Sequence, residues 1–504
     1  MGQEREEVME LAEIDARLLP VKELLLKKEP RMALEKLQFL VSQWDVPKDA
    51  LWRVYEYYAT CYYQMANLRT WRQYAWRCIQ ATEGQPFRVQ QGNFSDYLFM
   101  MHYFSDISDR EMRELHFLYD SFAQAVHHFP HPLTRHQHKK LRIGYLAGEL
   151  AENVVSYFSL QLFTAYQPNE FEVYAYSLRE IEDQLTDVLR EHIQVMRFFP
   201  RDMAMSEIAQ VIYDDEIDIL FDLDVHASGG RTMMVMCYRP APVQVAGIGY
   251  MSTSGTKAID YFLGDVYCDP PGLHDEDFAE EMIRLPHSHF CYTPSARVLR
   301  YQGEPYRPHD PIVFASFNNY LKITDEMLAD WLEILRRVPG SHLLVKNSSH
   351  KTSLMKVMRR RMLAAGFQPR QFTLEDATGD YLQRYHDVDI MLDTYPYTGG
   401  GTTCESLYMG VPVVARYGRR HGERFSYSLL QNAGLGDLAC RTREEYIELA
   451  VSLAQSPALL QKLHEDIPRL FQASPVMNSQ QYVREVEAAY RRIWQTWLQQ
   501  KKRK

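Results

Sequence analysis

The chain has 504 residues, which is long enough for two to four domains. Hydrophobic residues make up 46% and charged residues 24%, a composition typical of soluble globular proteins. The formal net charge of -10 argues against a nucleic-acid-binding protein, because no broad basic field is present to meet phosphates.

Targeting and redox features favour a cytoplasmic protein. The seven cysteines form no C-x-x-C pair, so neither a disulfide framework nor a structural zinc site is expected. The N-terminus is acidic and lacks the apolar core of a signal peptide. Glu6 stands where a myristoylation motif needs Ser or Thr. No run approaches the roughly 20 apolar residues that span a bilayer.

Residues 1–135 have helical periodicity, which predicts an all-α domain. Two stretches, 52–66 and 70–79, are joined by a short turn and predict antiparallel helices. The pair resembles one degenerate tetratricopeptide repeat, and a generic helical bundle is the alternative. Because one pair cannot form a solenoid, we expect a small bundle packed on the rest of the chain. These helices are a candidate contact surface for a second copy or a partner protein.

A histidine-rich linker follows this domain. Its histidines are His127, His128, His131, His136 and His138. Two prolines, Pro130 and Pro132, break any helix here, and the histidines have no ligand spacing on one face. The sequence therefore predicts a solvated linker without a metal.

From residue 136 onward, short β-rich runs alternate with helical periods. In residues 136–300 the predicted strands are 141–147, 172–177, 217–224 and 242–248, with a helix at 156–166. In residues 301–478 they are 311–317, 341–346, 371–374, 388–393 and 411–415, with a helix at 325–337. For residues 479–504 the sequence predicts a last helix followed by a basic tail. The pattern predicts an α/β protein with two Rossmann-like lobes facing across a cleft, where ligands bind at the carboxyl ends of the strands.

The strongest motif is a glycine-rich loop between a strand and a short helix. Its residues are Gly399, Gly400, Gly401, Thr402 and Thr403. The glycines let the backbone approach a phosphate, and the hydroxyls and free N–H groups lie at the positive helix end. Glu405, one turn into the helix, is placed to accept hydrogen bonds from a ribose diol. A plain capped glycine turn is the alternative.

Two further strand ends carry polar side chains. Asn319 and Lys322 follow a strand of the second lobe, where a lysine can neutralise the charge growing on a departing diphosphate. An exposed lysine before a helix cap is the alternative. Asp224 and His226 follow a strand of the first lobe and are candidate bases for the proton of an acceptor, although a histidine at a strand end is often structural.

Three weaker patterns each have a functional and a structural explanation. The loop 247–255 has many small polar donors, so sugar or phosphate contacts and a structural turn are both compatible with it. Tyr381 and Arg384, at i and i+3, could hold a nucleobase or form an ordinary surface pair. Asp387-Val388-Asp389 matches a D-x-D metal motif but leads into a buried strand. We therefore predict no catalytic metal.

In this order the motifs resemble the O-GlcNAc transferase family, glycosyltransferase family 41, which includes bacterial protein N-glucosyltransferases. The resemblance covers roughly residues 90–495 and rests on 93–103, 142–145, 171–177, 239–245, 317–323 and 393–412. It implies the GT-B fold, UDP-GlcNAc or UDP-glucose as donor, inversion at the anomeric carbon and no metal.

The resemblance also implies roles for individual residues. It places Lys322 and the glycine loop at Thr402 on the diphosphate. It places Asn319 on the donor and Glu405 on its ribose.

On the nucleobase side, Arg384 would lie near the uracil, with Tyr381 where eukaryotic members stack a histidine. Two positions depart from the family. Asn153 and Gly400 stand where many members carry histidine, which bears on acceptor chemistry and donor identity.

The sequence thus predicts a metal-independent, inverting glycosyltransferase without a cofactor. It would move GlcNAc or glucose from a UDP-sugar to Ser, Thr or Asn of a protein acceptor. A transferase acting on a glycan or small molecule, and a non-catalytic partner subunit, are the alternatives.

Overall fold

Two parallel sheets form the centre of the part of the chain that the structure describes. This computed structural model covers residues 11–301, 305–348 and 354–503. Helices flank each sheet, and a helical region precedes the first one. The predicted α/β class, with two lobes after an all-α N-terminal region, is confirmed.

The N-terminal region is a series of helices. They are α1 Leu11–Leu26, α2 Pro30–Ser42, α3 Leu51–Gln64, α4 Leu68–Ala81, α5 Phe87–Met101, α6 Asp109–Phe117 and α7 Asp120–Gln124. Helices α3 and α4 are the predicted pair, and the rings of Tyr58 and Tyr74 stack between them with centroids 4.7 Å apart. Leu26 and Phe39 of α1 and α2 are exposed. Contact with a partner or a second copy stays a prediction, and residues 1–10 lie outside the described residues.

The first lobe is built on a parallel sheet in the order β3-β2-β1-β4-β5-β6-β7. Its elements are β1 Leu141–Ala147, α8 Val154–Thr164, β2 Phe171–Ser177, α9 Gln184–His192, β3 Val195–Phe198, α10 Met205–Asp214, β4 Ile219–Asp222, α11 Arg231–Met236, β5 Val243–Gly247, β6 Tyr261–Asp265, β7 Glu281–Leu285 and α12 Ala296–Tyr301. The sequence did not predict β3, β6 and β7. Each is short, and charged residues such as Arg197 and Glu281 interrupt the apolar pattern of the two edge strands.

The second lobe has a parallel sheet in the order β10-β9-β8-β11-β12-β13. Its elements are β8 Val313–Ser316, α13 Asp325–Arg337, β9 His342–Lys346, α14 Met355–Ala365, β10 Phe372–Glu375, β11 Ile390–Leu392, α15 Gly401–Tyr408, β12 Val413–Arg416, α16 Phe425–Asn432, β13 Ala439–Cys440, α17 Arg443–Ala454 and α18 Pro457–Gln472. The predicted strands agree to within about two residues at each end, and the predicted helix 325–337 is α13. The two-residue strand β13 was missed because it is too short to show a period.

The histidine-rich linker is solvated at His127 and His128, whereas its later histidines pack against the first lobe, where the prediction of a solvated segment is wrong. Nδ1 of His136 lies 2.9 Å from Oδ1 of Asp218, and the His136 side chain is 2% exposed. His131 donates from Nε2 to the carbonyl oxygen of Arg239 at 2.8 Å. The prolines do end the helical region, but the segment then lies against the first lobe, whose carbonyl and carboxylate oxygens pair with the imidazoles.

The last helix, α19 Ser479–Arg503, returns to the first lobe. Its Tyr490 hydroxyl lies 3.2 Å from that of Tyr145 on β1, and Glu487 accepts a hydrogen bond from the backbone of Gln167 at 2.7 Å. Helix α19 therefore packs against the first lobe, although it follows the second lobe in the chain. In the described residues, no helix combines the length and the hydropathy that crossing a bilayer requires.

Candidate active site

A cavity of about 540 Å³ lies where the carboxyl ends of the two sheets face each other. The first lobe contributes the first turns of α8 and the loop after β5. The second lobe contributes the residues that follow β8, β9 and β10 and the N-terminal end of α15. The volume is in the range of small-molecule sites, and the position is the one that α/β sheets use for ligands.

The glycine loop is brought to this cavity at the start of α15. Gly400, Gly401 and Thr402 line it. Gly399 and Thr403 lie behind them: Gly399 donates its N–H to both oxygens of Asp393, at 2.9 and 3.1 Å, and Thr403 pairs with Ser426 at 2.8 Å. The loop is therefore held from behind by the end of β11. Its free N–H groups are left at the helix end, where an anion is stabilised.

Close approach of the two lobes explains the glycine at position 401. A Cβ atom at Gly401 would lie 2.7 Å from Cγ2 of Val154, the first residue of α8. A Cβ atom at Gly400 would lie 3.6 Å from the ring of Phe158. Two helix N-termini, one from each lobe, thus meet at one side of the cavity. The N-cap of α8 is Asn153, whose Oδ1 accepts the N–H of Ser156 at 3.0 Å.

Lys322 lies at the end of a short 3₁₀ turn after β8 and lines the cavity. Burial lowers the pKa of its ammonium to about 8, and the nearby Asp393 opposes that shift. Its Nζ lies 3.5 Å from the centroid of the Tyr397 ring. No carboxylate of the described residues forms an ion pair with it within 4.0 Å. A desolvated cation that lacks an ion pair favours the binding of an anion.

Of two adjacent asparagines after β8, the structure brings Asn318 to the cavity rather than the predicted Asn319. Asn318, which is 3% exposed, lines the cavity and accepts a hydrogen bond from Thr402 at 3.4 Å. Asn319, the predicted donor contact, instead accepts the N–H of Leu321 at 3.0 Å and caps the 3₁₀ turn. It is absent from the lining formed by the described residues. Adjacent residues at a strand end point in different directions, and the sequence did not distinguish between them.

Glu405 lines the cavity next to two tyrosine hydroxyls. Tyr381, which also lines the cavity, donates to one carboxylate oxygen, and Tyr385 donates to the other at 3.2 Å. Burial raises the pKa of Glu405 to about 7, although both hydrogen bonds oppose the shift. The carboxylate is therefore held in one orientation and titrates near neutral pH.

Arg384 lies outside the cavity lining. It forms ion pairs with Glu375, at 2.9 Å, and with Asp387. Asp389 of the D-x-D pattern accepts the N–H of Val313 at 2.7 Å, in keeping with its interpretation as the start of a strand.

The cavity is also lined by Lys346, a lysine that was not predicted from the sequence. It lies at the end of β9 and donates to the carbonyl oxygen of Asp376 at 2.9 Å. Its place at a strand end was the signal that could have found it.

The two candidate bases lie behind the first-lobe wall. His226 is fully buried, and its Nε2 donates to the carbonyl oxygen of Ser254 at 2.9 Å, so its Nδ1 accepts from the Ser95 hydroxyl at 3.0 Å. Burial lowers the pKa of His226 to about 3. Both ring nitrogens are engaged and neither faces the cavity, which is the geometry of a structural histidine.

Asp224 lies directly behind the cavity wall. A Cβ atom at Gly249, a residue of the lining, would be 3.3 Å from the Cα of Asp224. Burial raises the pKa of Asp224 to about 7, and the neighbouring Asp222 adds to the shift. A carboxyl that titrates near neutral pH is suited to accept a proton.

Two Rossmann-like lobes that face each other across a shared cleft define the GT-B architecture. The chain belongs to glycosyl transferase family 41, whose model matches residues 119–302 and 291–486.

Relatives of known name support this assignment. A protein of Petunia hybrida, the probable UDP-N-acetylglucosamine--peptide N-acetylglucosaminyltransferase SPINDLY, is 35% identical over 369 residues, covering 71% of this chain and 39% of that protein. The Arabidopsis thaliana protein SEC, which has the same enzyme name, is 30% identical over 372 residues, covering 71% of this chain and 37% of that protein. The match thus spans only about two fifths of these relatives.

A solved structure matches nearly the whole chain. It is a mutant of the Thermobaculum terrenum O-GlcNAc transferase, with a TM-score of 0.80 and 26% identity, covering 98% of this chain and 100% of that one.

Proposed function

We propose that this chain transfers GlcNAc or glucose from a UDP-sugar to a protein acceptor. The observation that carries the proposal is the half-buried Lys322, without a carboxylate ion-pair partner in the described residues, in the same cavity as the N-terminal end of α15. This combination suits a diphosphate, because a cation and free backbone N–H groups can share its charge. The names of the relatives and the solved structure point to the same donor and acceptor.

The residues of the cavity fit an inverting transfer. An acceptor hydroxyl or amide would attack the anomeric carbon as its bond to the diphosphate oxygen breaks, and the electron pair would leave with UDP. Lys322 and Thr402 would stabilise that leaving charge, which needs no metal. The proton of the acceptor would go to Asp224, directly or through a water, because its pKa is near 7. Glu405 would hold the ribose, and Tyr381 would lie against the nucleobase.

The test is a transfer assay on the purified chain. UDP-GlcNAc and UDP-glucose are supplied in parallel, UDP release is measured, and intact-mass spectrometry is run on candidate acceptor proteins co-expressed with the enzyme. We expect one donor to give UDP and a protein mass increased by one sugar, with the same rate after EDTA treatment. A sugar found only on glycans or small molecules would favour the first alternative. A chain that binds no UDP and releases none would be a non-catalytic subunit.

The acceptor residue, Ser, Thr or Asn, and the cytoplasmic location stay predictions. Digestion of the modified protein and sequencing of the modified peptide would identify the acceptor atom. The first-lobe wall, with Asn153 at the N-cap of α8, is the part of the cavity nearest to where that atom would approach.

A further inference from the structure

We propose that His136, His138, Asp218 and Glu216 form a structural zinc site. The site lies at the amino-terminal edge of the first sheet, where β1 and β4 begin. The candidate active site is at the opposite, carboxyl-terminal edge. The two histidines come from the linker after the helical region, and the two carboxylates immediately precede β4. A metal here would join the linker to the sheet.

The spacing of the ligand atoms supports the proposal. Oδ1 of Asp218 lies 2.9 Å from Nδ1 of His136 and 3.9 Å from Nε2 of His138. One ligand atom from each of these three residues lies within 4.8 Å of the others. Two ligands bound tetrahedrally to zinc at 2.0–2.2 Å are about 3.4 Å apart. The observed separations bracket that value, so small side-chain movements would complete the coordination.

Glu216 is the candidate fourth ligand, and its side chain must move closer to the other three to complete the site. Its Oε2 lies 3.9 Å from Nε2 of His138, and its side chain is 34% exposed, so a metal could reach the site from solvent. Its backbone has a φ of 54°, a conformation that a non-glycine residue adopts at a cost and that recurs at functional sites. This conformation brings the carbonyl oxygen of Glu216 to 3.1 Å from Nε2 of His138, which donates a hydrogen bond to it in the absence of a metal. Zinc on Nε2 would replace that hydrogen bond.

The surroundings of His136 also suit a metal ligand. Within the described part of the chain, Asp218 is the hydrogen-bond partner of its ring, and the buried Nε2 has none. With a metal on Nδ1, the ring proton would sit on Nε2. The Trp497 ring lies nearly perpendicular at 5.5 Å, and an N–H can point at such an aromatic ring. Imidazole and carboxylate together favour zinc over magnesium or calcium, which prefer oxygen ligands.

Two arginines compete with a dication for one of the two carboxylates. The two carboxylates balance two positive charges. Arg142 and Arg135 lie 3.5 and 3.8 Å from the Glu216 carboxylate, so this group has partners without a metal as well. The arginines would lose part of that contact when Glu216 binds zinc, which predicts a site that stabilises the fold but is not required for folding.

The test measures zinc directly on the full chain without a histidine tag. The protein is stripped with EDTA, desalted and titrated with Zn²⁺ against a chromogenic chelator, and the bound metal is counted by mass spectrometry. We expect one zinc per chain and a higher Tm with zinc. His138→Ala should weaken binding by at least 10- to 100-fold, the loss seen even for residues that only support a metal ligand.

The control variant is His127→Ala, which lies in the same linker outside the cluster and should bind zinc as the wild type does. His138 is 13% exposed and donates to the carbonyl oxygen of Glu216, so its removal should lower the metal-free Tm. The effect of zinc is therefore measured as the rise in Tm above the metal-free value of each variant. Glu216→Gln is a second variant that keeps the shape of the side chain and removes its charge. A wild type that retains no zinc, or a His138→Ala variant that binds it equally well, would overturn the site. Because the readout is metal binding, either result leaves the proposed transfer activity untouched.

Discussion

In the proposed mechanism, Lys322 carries much of the stabilisation of the leaving diphosphate. Lys322→Ala removes the cation that has no carboxylate ion-pair partner in the described residues. We expect kcat to fall by about 100- to 1,000-fold, the usual loss when one preorganised group that stabilises transition-state charge is removed. Steady-state kinetics with the active donor would measure it.

The matched variant is Lys322→Arg, which keeps the charge but changes its geometry. It should retain more activity than the alanine variant. Both should keep a Tm near that of the wild type, because no carboxylate of the described residues pairs with the ammonium and only its contact with the Tyr397 ring is lost or altered. Full activity of Lys322→Ala would remove the basis of the proposed mechanism.

We expect the Glu405 carboxylate to make the use of the donor dependent on pH. Its pKa is raised to about 7 by burial, so protonation near neutral pH would remove a hydrogen-bond acceptor for the ribose. The kcat/KM for the donor should therefore fall as pH falls through 7. Tyr381→Phe removes a hydrogen bond that stabilises the charged form. The inflection should move up by about 0.5–1 unit, given roughly 1 kcal/mol for such a bond.

This shift separates Glu405 from Asp224, whose pKa is also about 7 and whose protonation would likewise lower the rate. The control is Tyr166→Phe, because the Tyr166 hydroxyl donates to the carbonyl oxygen of His192 at the surface. An inflection that Tyr381→Phe leaves in place would mean that Glu405 does not set the pH profile.

Individual residues were only partly predictable from the sequence. A glycine-rich loop before a helix has a fixed geometry, so Gly400, Gly401 and Thr402 could be placed at the cleft. The choice between Asn318 and Asn319 depends on how one turn bends, and the surroundings of His226 depend on Ser95, 131 residues earlier in the chain. Contacts of that kind leave no local pattern.

At the level of elements, the packing of α8 against the start of α15 sets the width of the cleft. Gly401→Ala would place a methyl group 2.7 Å from Val154, so either the lobes or the glycine loop must shift. We expect a cost of about 1–3 kcal/mol from overpacking and weaker binding of the donor. Isothermal titration with UDP would measure the change.

The double variant Gly401→Ala, Val154→Ala should recover most of the lost affinity, because it removes the atom in conflict. Gly92→Ala in α5 is the control, since its Cβ atom would make only ordinary contact, 3.6 Å from Met234. If Val154→Ala gives no recovery, the glycine is needed for the ligand rather than for the contact between lobes.

The difference between local patterns and long-range contacts also explains which helices and strands could be predicted from the sequence. Central strands such as β1 and β8 are buried on both faces and show an apolar run that is visible locally. Edge strands such as β3 and β7 are half exposed and gain their pairing from a neighbour distant in sequence. The linker was misjudged for a related reason: its prolines mark the end of a helix, whereas the oxygens that pair with its histidines belong to the first lobe.

In the molecule as a whole, three parts of the chain meet at residues 419–424 of the second lobe. Arg420 binds Asp109 of α6 at 2.6 Å and donates to the carbonyl oxygen of Ile107. His421 binds Asp269 of the first lobe at 2.9 Å, and Gly422 donates its N–H to Met251, a residue of the cavity wall, at 3.1 Å. This loop therefore holds both the helical region and the first lobe in place around the cleft.

Arg420→Ala tests whether that joint supports the active site. The variant removes charge-assisted hydrogen bonds of about 1.5–3 kcal/mol each, with a smaller effect here because Asp109 is partly exposed. The amides of α6 should then exchange about 10- to 100-fold faster, because local opening becomes easier. Since the loop also holds Met251 at the cavity, kcat should fall and KM should rise together, as is common when a residue that positions an active-site loop is changed.

The control is Arg469→Ala, which breaks an exposed pair with Asp466. It should change neither the amide exchange of α6 nor the kinetic constants. Faster exchange in α6 with unchanged kinetics would show that the helical region is anchored at this loop without shaping the cleft.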